Sequence, residues 1–117
     1  MAAAPERLSV KARELVDAGD HELYLSAASS WEIAIKYSAG KLRLPEPPAR
    51  YVPSRLEALR VIPLPIEHSH ALHVATLPVH HRDPFDRVLI AQAQMENLQI
   101  LTADRLFRAY DVTTIDA

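Results

Sequence analysis

Short apolar runs alternate along this chain with stretches in which apolar residues recur every three or four positions, a pattern that predicts strands alternating with helices. Pro5 suits the first turn of a helix, and Leu8, Ala12, Leu15 and Val16 recur at near-helical spacing up to Gly19. Residues 22–27 read as a short buried strand. Ser29-Ser30-Trp31-Glu32 opens the next helix, with Trp31, Ala34, Ile35 and Ser38 on one side and Gly40 as its stop. A proline-rich connection over 42–48 leads to a helix through 55–60 and a strand over 61–64. Pro65 then turns the chain into a helix over about 67–77. The clearest helix spans 83–97, followed by a strand at 99–102, a short helix at 104–110 and a last strand at 112–115. Such alternation predicts a small parallel sheet covered on both faces, a three-layer α/β/α domain over residues 1–117 that opens on a helix.

Composition narrows the chemistry. The chain has 117 residues, enough for one core and too few for two. Its 49% apolar content excludes a disordered chain. The formal charge of -2 gives no overall basic field, so any RNA contact needs a local patch. Absence of cysteine removes disulfides and thiolate metal sites. No apolar run approaches the length of a membrane span, and residues 1–7 hold no apolar signal core, so a cytoplasmic setting without membrane contact is expected. With only two glycines, a Gly-rich phosphate loop is excluded, and with it the Walker-type and dinucleotide-binding sites.

Acids at helix starts are the most informative residues. Asp83-Pro84-Phe85-Asp86 reads as an N-cap, a proline at the first helical position and an acid at the third. Ser29-x-x-Glu32 matches a capping box, and Asp104 follows the apolar strand that ends at Thr102. Capping alone would select each of them. Their joint placement says more, because ligands of open α/β sheets bind beyond the carboxyl ends of the strands. Carboxylates converging there repel one another, and a divalent cation offsets that cost; Mg²⁺ takes oxygen ligands and substrate phosphate.

Ala27 to Lys36, then Gly40-Lys41-Leu42, then His80 to Arg87 with its Asp-Pro-Phe-Asp-Arg block, then Leu101-Thr102-Ala103-Asp104, resemble the PIN-domain toxins of the VapC type, in the right order over nearly the whole chain. The resemblance implies a PIN-like fold and a Mg²⁺- or Mn²⁺-dependent endoribonuclease, the toxin half of a bacterial type II toxin–antitoxin pair. It implies Glu32, Asp86 and Asp104 as catalytic metal ligands, with Asp83 and Thr102 in capping or supporting places. It also implies an RNA substrate, a cognate antitoxin that blocks the site, and a homodimer. One departure is plain. Family members open on an apolar strand ending in aspartate, whereas Met1 to Ser9 resembles the segment after that strand. The first strand and its aspartate are therefore expected to be missing, through a start set too late or a truncated gene. A truncated, inactive remnant that binds antitoxin or self-associates is the alternative. Asp17 and Asp20 fall at a helix end and offer no substitute.

Other polar groups are weighed against that site. His68, His70 and His73 lack the spacing of a zinc site and read as solvent-facing or internally bonded. His80 and His81 adjoin the acidic block and its RNA path. Lys36, Lys41, Arg43, Arg82 and Arg87 are the best local cations for phosphate, with Lys36, Arg82 and Arg87 nearest the acids. Trp31 and Phe85 read as anchors of their helices in the core in preference to base-stacking groups.

Overall fold

In the computed structural model, which describes residues 2–3, 14, 22–80, 83–102 and 104–116, five strands form one sheet. They are β1 (Ala2–Ala3), β2 (Leu23–Ser26), β3 (Val61–Leu64), β4 (Ile100–Thr102) and β5 (Thr114–Asp116). Every pairing is parallel and the order is β3-β2-β1-β4-β5, so all carboxyl ends lie along one edge. The helices are α1 (Ala27–Ser38), α2 (Pro48–Leu59), α3 (His68–His73) and α4 (Pro84–Glu96), with 3-10 turns at Val74–Thr76 and Arg105–Ala109.

The alternation of side chains along a strand divides the core into two layers. Ile100 joins Leu89, Ile90, Ala91 and Ala93 of α4, with Leu77, Phe107 and Tyr110, on one face. Leu101 points the other way, to Leu23, Leu25, Val61 and Leu59, where Val52 and Leu56 of α2 pack against them. The expected three-layer α/β/α arrangement with a small parallel sheet is what the chain forms.

Pro63 fits because β3 is an edge strand, where one side of the backbone needs no ladder donor. Gly40 ends α1 as predicted: with φ at 74°, it lets Lys41 N–H reach the Lys36 carbonyl at 2.9 Å and Gly40 N–H reach that of Tyr37 at 3.1 Å. The clearest predicted helix is also observed, with Asp83 as its N-cap and Asn97 in the left-handed conformation at its end.

Three expectations are corrected. The chain opens on a strand: Ala2 pairs with Tyr24 on one side and Ile100 on the other, filling the slot between β2 and β4. Ladder hydrogen bonds need only extended backbone, whereas alanine has low strand preference, so the residue types concealed it. Helix α1 begins at Ala27 with Ser26 as N-cap, ahead of the predicted Ser29, which is buried in the first turn. Helix α2 begins at Pro48, well before residue 55, and keeps Pro53 inside it at the cost of one helical donor. The helix predicted over 5–19 lies outside the described residues except for Glu14, which is helical.

Candidate functional site

Strand order reverses around β1, the usual place for a crevice in an open parallel sheet. Ser26 ends β2 and starts α1, which carries Glu32; Thr102 ends β4 and Asp104 follows it. These two acids therefore leave the sheet on either side of β1 at the same edge.

Two contacts fix how α1 lies on α4. Ser26 meets Gln92 through a hydrogen bond between their side chains, and Trp31 meets Phe85 with ring centroids 5.0 Å apart in an edge-on geometry. Going from 26 to 31 thus runs from 92 to 85, so the helices are antiparallel, and Glu32 and Asp86 each adjoin the Trp31–Phe85 contact in sequence. Asp86 sits in the first turn of α4, where the helix dipole favours a negative charge, and it is half-buried.

Each remaining acid has a local role. The Asp83 carboxylate accepts from Phe85 N–H at 2.8 Å and Asp86 N–H at 3.2 Å, capping α4. Asp104 accepts from Leu106 N–H at 2.9 Å and caps the 3-10 turn, while its own N–H donates to the Thr102 hydroxyl at 3.0 Å. Glu32 is bridged by the ammonium of Lys36, 3.2 Å away and one helical turn on. As donors for a divalent cation, these carboxylates are hard oxygens of the right kind. Among the described residues, however, no three His, Cys, Asp or Glu side chains stand close enough to share one ion.

Arg87 is turned inward. Its guanidinium donates to the carbonyls of Pro78 at 2.9 Å, Val74 at 3.2 Å and Leu77 at 3.4 Å, and to the Tyr110 hydroxyl at 3.3 Å. Arg82 and His81 lie outside the described residues, while the His80 ring packs edge-on against Tyr110. Trp31 is 61% exposed, which corrects its reading as a core anchor; Phe85 is half-buried behind it.

The histidines are internally bonded where the sequence allowed for it. His70, 1% exposed, accepts from Glu67 N–H on Nδ1 at 3.0 Å and meets the Glu96 carboxylate through Nε2 at 2.7 Å. An accepting Nδ1 carries no proton, so Nε2–H is the donor to Glu96. His73 Nε2 meets the Gln94 side-chain oxygen at 2.8 Å. Sequence reading missed Ser26 and Gln92, both fully buried. The available signal was an amide inside the run Leu89-Ile90-Ala91-Gln92-Ala93, whose neighbours are all apolar.

Comparison with known proteins agrees with this fold. The Mycobacterium tuberculosis (strain ATCC 25618 / H37Rv) protein named Ribonuclease VapC16 is 48% identical over 61 residues, covering 52% of this chain. That match spans 43% of the relative's length, and it bears out the resemblance to the VapC type. The structure of FitAB bound to an IR36 DNA fragment has the same fold, with a TM-score of 0.64, 18% identity and coverage of 98% of this chain and 93% of that one. FitAcB from Neisseria gonorrhoeae gives 0.59, 21%, 98% and 96%. A family model described as the PIN domain matches residues 2–112, and the chain belongs to the PIN-domain family.

Proposed function

We propose that this chain is the toxin of a bacterial type II toxin–antitoxin pair, a cytoplasmic endoribonuclease dependent on Mg²⁺ or Mn²⁺. One observation supports the reading: α1, which carries Glu32, and Asp104 both follow strands that end at one edge of the sheet, and Asp86 stands in the first turn of the helix packed on α1. The identity with a VapC ribonuclease over half of the chain supports it. Glu32, Asp86 and Asp104 are the acids this reading assigns to the ion, and since among the described residues no three carboxylates stand close enough to share one, they would have to draw together to hold it. When bound, such an ion supplies Lewis-acid polarisation of a phosphoryl oxygen and a more acidic water.

The chain's own groups prepare that edge. Lys36 offsets the charge of Glu32 and offers a cation to RNA phosphate. Asp83 caps α4, leaving the first-turn position of Asp86 well defined, and Thr102 takes the backbone N–H of Asp104. Arg82 is the other cation assigned to the RNA path, since Arg87 is occupied by carbonyls. A cognate antitoxin and a second protomer are the protein partners that this reading implies.

A second reading has its own support. No three potential ligands gather among the described residues. On that reading the chain binds antitoxin or itself without cleaving RNA. Mn²⁺ titration of the purified chain by calorimetry, with circular dichroism on the same sample and an RNA cleavage assay, separates the two. The nuclease reading expects saturable binding and cleavage, both abolished by Asp86→Asn with the dichroism unchanged. A folded chain that neither binds nor cleaves leaves the second reading; undiminished cleavage by Asp86→Asn shows that Asp86 is no ligand.

A further inference from the structure

Gln92 is the polar residue that the apolar face of α4 has least reason to contain. It is fully buried between Ala91 and Ala93, where a leucine would gain burial without needing any hydrogen bond. What the amide does and a leucine would not is join three separate segments. Its Oε1 accepts from the Ser26 hydroxyl at 2.5 Å, and its Nε2 donates to the Pro65 carbonyl at 3.1 Å, just past the end of β3. Ser26 in turn accepts from Ala28 N–H at 3.0 Å, so one hydroxyl both caps α1 and receives the hold of α4.

Strand alternation explains why Ser26 is the residue reached. Leu23 and Leu25 face the α2 layer, so Ser26 faces α4 at the point where the strand becomes a helix. The lower contact between α1 and α4 is this buried hydrogen bond; the upper one is the edge-on Trp31–Phe85 pair. Glu32 and Asp86 adjoin the upper contact in sequence, and their relative height is set by where the lower one pins the two helices.

We propose that Gln92, acting through Ser26, is a positioning residue that sets the register of α1 on α4 and so the spacing of Glu32 from Asp86. Its role in metal binding rests on the nuclease reading above; its role in helix register does not. Groups that orient metal ligands without touching the ion change metal affinity by about 10- to 100-fold when removed.

The test uses Gln92→Leu, Ser26→Ala and the double variant in the full chain. Trp31 is the only tryptophan, so its emission and near-ultraviolet ellipticity report the upper contact. Both single variants are expected to keep their far-ultraviolet spectrum, shift the Trp31 signal toward a more solvated indole, and lower Mn²⁺ affinity by about 10-fold or more. The double variant should lose less than the sum of the two singles, because both remove the shared Ser26–Gln92 link and each loses one further contact of its own. An unchanged Trp31 signal in either folded variant overturns the register role, whatever the metal does. A shifted signal with undiminished Mn²⁺ affinity overturns the link to the site. A shifted signal in variants of a parent chain that binds no Mn²⁺ upholds the register role and rejects the nuclease reading.

Discussion

Helix α4 has two unlike flanks. Toward α3 and the 3-10 turn after it, polar groups are matched in sequence: His70 with Glu96, His73 with Gln94, and Arg87 with the carbonyls of Val74, Leu77 and Pro78. Toward α1, among the described residues, stand a buried hydrogen bond and an aromatic edge contact, with Glu32 and Asp86 next to the latter in sequence. The first flank uses its charges to satisfy the backbone and one another. The second carries Glu32 and Asp86, two of the acids that the proposed function assigns to an ion. Stability and candidate chemistry are thus divided between opposite sides of one helix, and mutations on the two sides should differ in kind.

Arg87→Met should break the matched flank most severely. Three carbonyls lose a charged donor, which at about 1 kcal/mol per lost partner amounts to about 3 kcal/mol in urea unfolding. A loss below about 0.5 kcal/mol would mean that the turn does not depend on it and that the flanks are alike. Asp83→Ala tests the start of the helix that both flanks share. Loss of its bonds to Phe85 and Asp86 N–H should cost about 1 kcal/mol, read as a lowered melting temperature. The smallest effect belongs to Lys36→Met. Its pair with Glu32 joins a half-exposed ammonium to a neighbour one turn away, and about 0.3–0.5 kcal/mol is all it should contribute. That difference should shrink further in high salt, while the Arg87 effect should persist.

Much of the frame was legible because its determinants are local. Asp83, Pro84 and Asn97 bracket α4 through capping rules, Gly40 ends α1 through its positive φ, and residues 61–64 form β3 as predicted. What escaped depends on distant partners. Two alanines form a strand because β2 and β4 present open ladders to them, which nothing in Ala2 or Ala3 announces. Ser29 looked like the better cap because a glutamate follows at the capping-box distance, but Ser26 is where the strand ends and Gln92 waits. The positions of Asp86 and Asp104 at helix starts were read from sequence, whereas Glu32, expected in a first turn, stands in the second turn of α1. How α1 lies on α4 was not legible, since it is set by two contacts between residues more than fifty positions apart.

The central place of β1 has a mechanical consequence. Among the described residues, the β3-β2 and β4-β5 halves of the sheet meet through it, Ala2 pairing with Tyr24 on one side and Ala2 and Ala3 with Ile100 and Leu101 on the other. Breathing at this strand would open a gap between the two halves. Helix α4 bridges the gap from above, with Ile90 in the core around Ile100 and Gln92 bonded to Ser26 of β2. It acts as a splint, and the two halves remain one body during such breathing for as long as the splint holds.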